Sequence, residues 1–507
     1  MSAMTAPDQT QTPYADALAA KASRDVLDLM VPGHGQTPDG LSRDLAAFAG
    51  ERAIEMDVPM LVNGIDVGPD SPFVQATRLA ADAWSAHRTW FLCNGASQAN
   101  RMILLALAAA GLGDTVVAQR SAHSSFTDGL LLADLRPRFI VPSIDEDRGI
   151  NHGLTPGAID ASLVEAREQG DAVAGVYVIS PSYFGAVVDV AGIAEVAHRH
   201  GVPLIVDGAW GAHFGFHPEL PESPTRLGAD LIVSSTHKLG GSLSQSAMLH
   251  LGTGEFASLL EPLLDRAYML TQSTSASALL LGSLDVARRA LAQGTELIGR
   301  SIARVEACRE RLRADGRFEI ISDGFGAFPD IAAADPMRIS IDISATGLTG
   351  LEVRERLYAE SDVIVELATV RAIVAFIGPG KLPDLDRFVD ALFALADRGG
   401  AGGPVGAAGD PRASVPAFPA LPAPGPMAVR PREAYFGAHE IVPAVEAIGR
   451  VSADSLAAYP PGIPNLMPGE LVTAETVEFL RAVAASPYGY VRGAIDPEVS
   501  RIRVLAR

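Results

Sequence analysis

The run Ser234-Ser235-Thr236-His237-Lys238 follows the apolar stretch Leu231-Ile232-Val233 and precedes Leu239-Gly240-Gly241. A lysine at a strand end among hydroxyls and glycines packs poorly in a core, yet it can reach a ligand lying in a crevice at the carboxyl edge of a sheet. Such a lysine forms a Schiff base when desolvation or a neighbouring cation lowers its pKa and frees a neutral amine. Taken alone, Lys238 would look the same in a surface loop. A second stretch lies about thirty residues upstream, Pro203-Leu204-Ile205-Val206-Asp207-Gly208-Ala209-Trp210-Gly211-Ala212-His213. An apolar strand ending in Asp207 places a carboxylate at the same edge, where it can pair with a protonated heteroaromatic nitrogen.

A third stretch, Phe91-Leu92-Cys93-Asn94-Gly95-Ala96-Ser97-Gln98, passes from a strand through a small-residue turn into a helix. Free N–H groups at a helix start, around Ala96 and with the Ser97 hydroxyl, make a phosphate cradle that needs no lysine. It matches neither GxGxxG nor GxxxxGK[ST], so the dinucleotide and ATP readings lose their fingerprint. In Ser121-Ala122-His123-Ser124, the His123 imidazole can stack on a flat ring. Cradle, stacking histidine, carboxylate and lysine, in that chain order, are the parts needed to hold pyridoxal 5'-phosphate (PLP).

These residues require a sheet to align them. From residue 60 to about 250, short β-rich runs alternate with Ala-rich helical stretches, as in an α/β domain with a mostly parallel sheet. Strands are expected at Thr89 to Leu92, Thr115 to Ala118, Arg138 to Val141, Gly175 to Ile179, Leu204 to Val206 and Leu231 to Val233. Helices are expected at Ala99 to Ala110 and Val190 to His200. A long helical pattern from Leu279 to Asp315 leads to strand-like pieces at Arg338 to Ile343, Val363 to Glu366 and Ala372 to Ile377, which suggest a smaller α+β domain. The expected division is an N-terminal arm (1–60), a large domain (61–280), a small domain (281–397), a linker (398–428) and a C-terminal α+β domain (429–507). Residues 399–426 contain seven Gly, seven Pro and seven Ala among 28, too little bulk for a core.

The chain has 507 residues, 48% hydrophobic and 20% charged, a globular composition. Its 40 Lys and Arg against 60 Asp and Glu give a net charge of −20, which argues against nucleic-acid or anionic-membrane binding. Two cysteines, Cys93 and Cys308, build no disulfide framework or zinc spacing. Without a secretory leader pattern or a long apolar run, the expected setting is the cytoplasm.

The quoted stretches together resemble the fold-type I PLP-dependent Orn/Lys/Arg decarboxylases, in the short form lacking an N-terminal wing domain. The likeness runs from Pro32-Gly33-His34 to the C-terminal segment, excluding the linker. It includes Ser180-Pro181-Ser182-Tyr183-Phe184-Gly185, Gly228-Ala229-Asp230, Met248-Leu249-His250, Gln272-Ser273-Thr274-Ser275 and Gly347-Leu348-Thr349-Gly350. Its most specific pieces are Tyr459-Pro460-Pro461-Gly462-Ile463-Pro464 and Pro468-Gly469-Glu470.

The resemblance implies decarboxylation of arginine, lysine or ornithine to the amine, with Lys238, Asp207 and His123 catalytic. Lys238 would carry PLP, Asp207 would pair with the ring nitrogen and His123 would stack on the ring. Ala96, Ser97, Ser235 and His237 would hold the phosphate, joined by Ser273 or Thr274 from a neighbouring subunit of a homodimer or larger homo-oligomer. Trp210 and His213 would line the pocket, and Glu470 would meet the distal cation of the substrate. The chain departs from the family pattern at Ala96, at Ser124, at Gly208 where relatives carry a glutamate, and at Leu239-Gly240-Gly241; these departures bear on substrate and rate. The alternatives are another fold-type I reaction such as transamination or aldol cleavage, and a weakly active or non-catalytic paralogue. A metal hydrolase, prompted by His213 and His217 at i, i+4, has no HExxH to support it, and no metal is expected.

Overall fold

The structure, a computed structural model, describes residues 7–399, 421–459, 462–486 and 489–506. The expected linker therefore falls mostly outside the described residues, as do Pro460 and Pro461 of the Tyr459 to Pro464 run. Helices α1 (Pro13–Ala22) and α2 (Pro72–Ala83) precede the main sheet. Its strands are β1 (Arg88–Leu92), β2 (Thr115–Gln119), β3 (Arg136–Ile140), β4 (Val173–Ile179), β5 (Leu204–Asp207), β6 (Leu231–Ser234) and β7 (Ala247–Leu251). They lie in the order β1-β7-β6-β5-β4-β2-β3. All neighbours are parallel except at β7, which runs antiparallel to both β1 and β6. The six expected strands match β1 to β6 to within two residues at each end. β7 carries Met248-Leu249-His250 and was not expected as a strand.

Both sheet faces are buried, so the strands read as nearly continuous apolar runs rather than as alternating ones. Tyr177, Ile205, Leu231 and Val233 face a core closed by α3 (Gly95–Ala109), α4 (Ser124–Ala133) and, later in the chain, the helix Ala257–Thr271. Val176, Val178, Leu204, Val206 and Ile232 face the other core, under α5 (Pro156–Glu168) and α6 (Val190–Arg199). The period of two thus puts Asp207 on the Tyr177 face.

Beyond β6 come the single turn α7 (Thr236–Leu239), then α8 (Ala257–Thr271), α9 (Ala278–Ala292) and α10 (Thr295–Asp315). The continuous pattern expected from Leu279 to Asp315 is thus two helices. The break is at Gly294, where a Cβ would lie 2.5 Å from the Ala290 carbonyl oxygen. The smaller sheet contains β8 (Glu319–Ile320), β9 (Arg338–Asp342), β10 (Leu367–Ala368) and β11 (Ala372–Phe376), in the order β8-β9-β11-β10, and all its pairs are antiparallel. The expected strand at Val363 to Glu366 is displaced, since pairing with β11 begins only at Leu367.

The C-terminal segment pairs β12 (His439–Pro443) with β16 (Arg501–Leu505), and β13 (Leu456–Tyr459) with both β14 (Pro464–Leu466) and β15 (Tyr490–Arg492). It docks on the main sheet. Arg430 bonds Asp114 and the Asp134 carbonyl, and Arg432 bonds the carbonyls of Leu131 and Leu132 at the end of α4. Among the described residues no helix is long and apolar enough to cross a membrane.

Candidate active site

Lys238 enters α7 directly from the end of β6. Its Nζ lies 3.8 Å from the ring centroid of Trp210, in the loop after β5. The Trp210 indole stacks on Phe376 of β11 at 4.6 Å and 11°, and Tyr183 packs against it at 5.2 Å. Large and small sheets thus share one aromatic wall. Arg338, buried at the start of β9, lies over Phe376 at 4.3 Å and donates from Nη2 to the Trp210 carbonyl at 3.2 Å. Burial pushes the Lys238 amine below the ordinary lysine range, and the Arg338 cation adds to this; Asp207 and Glu366 pull the other way without reversing it.

Asp207 ends β5 with a buried carboxylate. Its Oδ2 accepts from the Tyr177 hydroxyl at 2.6 Å and from Asn100 Nδ2 at 3.3 Å, and its Oδ1 accepts from the Ala209 N–H at 3.1 Å. Beside it, a Cβ on Gly208 would lie 3.2 Å from the Val233 carbonyl oxygen, so the backbone here runs close against β6. Asn100 Nδ2 also donates to Ser125 Oγ at 2.9 Å, and Ser125 Oγ lies 2.9 Å from His123 Nδ1. The Ser125 backbone N–H donates to the same Nδ1 at 3.2 Å, as His123 caps α4. A backbone N–H can only donate, so Nδ1 is unprotonated and the neutral ring carries its proton on Nε2. Burial lowers the His123 pKa, reinforced by Lys238 and Arg492 against Asp207 and Asp128.

The residues expected to hold a phosphate lie at helix starts on the same sheet edge. Ala96 and Ser97 are half-buried in the first turn of α3, entered through Gly95 at φ +74°, and the side chain of Asn94 caps none of its N–H groups. Buried Ser235 lies between β6 and α7, its Oγ 3.3 Å from His237 Nδ1. That nitrogen lies 2.9 Å from the Ser246 carbonyl, which only accepts, so it bears the proton. Neutral His237 therefore offers a phosphate no donor and serves only as an imidazolium, whereas the Ser235 hydroxyl donates in either state. Ser273 and Thr274 are exposed after α8 and share no hydrogen bond with the other expected site residues of this chain.

Two expectations need correction. Glu470 is buried and already paired: Arg120 Nη1 and Nη2 hold its two oxygens at 2.6 and 2.8 Å, and the Met467 N–H donates to Oε2 at 2.9 Å. A carboxylate so satisfied is a structural weld between β2 and the C-terminal segment, not a reader of substrate charge. His213 is enclosed, with Nε2 3.1 Å from Asp335 Oδ1, and so reaches the pocket only through Asp335 and its neighbour Arg338. His217 Nδ1 accepts from the Glu219 N–H, and among the described residues no group of three or more His, Cys, Asp or Glu could hold a metal ion.

Sequence reasoning missed Tyr177, Asn100, Ser125, Arg338 and Arg492. Tyr177 carried a signal: a hydroxyl in an otherwise aliphatic strand must find a partner, and the pleat puts it on the Asp207 face. Asn100 and Ser125 lie within the first two turns of α3 and α4, where polar residues facing a sheet need the same explanation. Nothing in the sequence marks Arg338, because its neighbours converge only through tertiary packing.

The profile of the Orn/Lys/Arg decarboxylase major domain matches residues 12–323, and that of the family's C-terminal domain matches residues 419–488. The arginine decarboxylase of Bacillus subtilis is 34% identical over 98% of both chains, and that of Halalkalibacterium halodurans is 33% identical over 93% of both. The crystal structure of the Francisella novicida lysine decarboxylase superposes with a TM-score of 0.82 at 20% identity, over 98% of this chain and 81% of the other. That likeness shows the fold-type I architecture. With the lysine, the carboxylate and the histidine on one edge of that fold, and the family's profiles matched in both the major and the C-terminal domain, the chain belongs to the Orn/Lys/Arg decarboxylase family and is an amino-acid decarboxylase.

Proposed function

We propose that the chain decarboxylates a basic amino acid with PLP, and that arginine is the first of the three candidates. The observation that carries this reading is the Lys238 amine, held over Trp210 in surroundings that favour its neutral form, on the same sheet edge as Asp207. Arginine is placed first because four relatives at 32–34% identity bear the name arginine decarboxylase.

The residues fit the cofactor. The uncapped first turn of α3 has N–H donors without side-chain acceptors, and the Ser97 and Ser235 hydroxyls extend the cradle for a phosphate. Lys238 supplies the neutral amine that an aldehyde requires. Asp207, pinned by Tyr177 and Asn100, keeps Oδ1 directed by a single N–H and so retains capacity for a protonated ring nitrogen. When bound, PLP supplies the electron sink for the pair released as CO2 leaves Cα. His123 offers a flat ring with its proton on Nε2, and the wall of Tyr183, Trp210 and Phe376 lines the approach to the amine. Ser273 and Thr274, exposed on this chain, suit a role across a dimer interface. A cytoplasmic homodimer in polyamine metabolism is the corresponding setting.

The test is release of labelled CO2 from carboxyl-labelled arginine, lysine and ornithine with PLP supplied. Turnover of at least one is expected. No CO2 from any of them, with turnover of another amino acid, overturns the proposal in favour of a different fold-type I reaction.

A further inference from the structure

With Glu470 committed to Arg120, the distal charge of a basic substrate needs another partner. We infer that Glu366 reads the distal cation of the substrate, at the far end of the aromatic wall from Lys238. The inference rests on the decarboxylase reading above and names the specificity residue of that same site.

Glu366 immediately precedes β10, and its N–H donates to the Val374 carbonyl of β11 at 3.1 Å. With Leu367 opposite Val374, it runs alongside the Ala375-Phe376 end of β11. Phe376 stacks on Trp210, whose ring carries the Lys238 amine. One element therefore brings Glu366 alongside the wall that the reactive lysine lies on. Glu366 is exposed, and among the described residues its carboxylate makes no hydrogen bond or ion pair. The other acids nearby are spoken for. Asp207 is held by Tyr177, Asn100 and Ala209, and Asp335 by His213 and Arg338.

The electrostatics agree with the placement. Glu366 acts on Lys238, on Arg338 and on Tyr183, three groups from three different elements around the wall. The wall itself suits the ligand. Tyr183, Trp210 and Phe376 are all incompletely buried, and a guanidinium or ammonium is attracted to aromatic faces while pairing with a carboxylate. A guanidinium, planar and weakly hydrated, exploits both contacts best.

The test compares wild type with Glu366→Gln and Glu366→Asp as PLP-loaded protein. Dissociation constants for agmatine, cadaverine and putrescine are measured by calorimetry, alongside KM and kcat for CO2 release. Norvaline, with an uncharged tail, is the control ligand, and the cofactor absorbance reports an intact site. Glu366→Gln is expected to weaken the amine of the preferred substrate and raise KM by about tenfold or more, with kcat changed less and norvaline binding unchanged. Glu366→Asp should fall between. Equal amine affinity in wild type and Glu366→Gln, or an equal loss for norvaline, overturns the inference. Absence of CO2 release by wild type sinks the decarboxylase reading instead, and the amine affinities still decide the role of Glu366.

Discussion

The Arg120 guanidinium closes on both carboxylate oxygens of Glu470, at 2.6 and 2.8 Å, with both side chains almost entirely buried. Arg120 Nε and Nη2 also bond the carbonyls of Pro464 and Asn465. The arginine follows β2 and stands three residues before His123, so the C-terminal segment is fastened to the loop that presents the imidazole. Removing one member of such a pair leaves a buried charge alone, at a cost of about 3–5 kcal/mol. Glu470→Ala is therefore expected to lose that much stability in urea denaturation. Its KM for a basic amino acid relative to the affinity for norvaline should stay unchanged. A selective loss of basic substrates in a fully stable variant would restore Glu470 as a substrate residue.

Lys238→Ala should abolish both CO2 release and covalent capture of the cofactor. The check is borohydride reduction followed by peptide mass spectrometry, in which wild type retains a pyridoxyl group on Lys238. Reducible PLP fixed to the variant protein would defeat the assignment of Lys238.

Tyr177 donates to Asp207 Oδ2 at 2.6 Å from within the core. A hydrogen bond to a charged group is worth about 1.5–3 kcal/mol. Tyr177→Phe keeps the ring packing and removes only that donor, so weaker PLP affinity and a lower kcat are expected from a folded protein. Asn100→Ala should act in the same direction and also loosen Ser125 from His123. A Tyr177→Phe protein with unchanged PLP affinity and unchanged kcat would show that Asp207 needs no such support.

How much of this was visible beforehand follows from what each residue depends on. The placement of Lys238, Asp207 and Ser97 on one sheet edge was legible because each lies close to a strand end or a helix start, and apolar runs mark those boundaries within the sequence. The strands β2, β4, β5 and β6 were legible because burial on both faces makes them largely apolar. β7 was not, since it is interrupted by His250 and is defined by pairing between β6 and β1. Glu470 was misread because its motif lies far from Arg120 in sequence, and nothing local shows that a carboxylate is already paired. Arg338 and Glu366 belong to the region of the small sheet and approach the Lys238 side of the molecule through tertiary packing around Phe376 and Trp210, contacts with no sequence signature.

His250 yields a prediction about pH. Its ring is fully buried, stacked on Trp84 at 5.0 Å, with Nδ1 2.9 Å from Thr89 Oγ1, and burial pushes its pKa down to about 3. In the unfolded chain the same group takes up a proton near pH 6.5. Between these values the unfolded state binds the proton and the native state refuses it, so stability falls as pH drops below about 6.5, by about 1.4 kcal/mol per unit. The loss continues until the native ring itself titrates near the lower value. His250→Asn removes the titration and also some packing on Trp84, so the variant should be less stable than wild type at pH 7. That gap should narrow by about 2 kcal/mol at pH 5, where wild type alone bears the cost. His123 and His152 are depressed in the same direction and act equally in both proteins, so they cancel in the comparison. Urea denaturation at the two pH values measures the gap, and an identical gap at both would mean that His250 does not stay neutral in the fold.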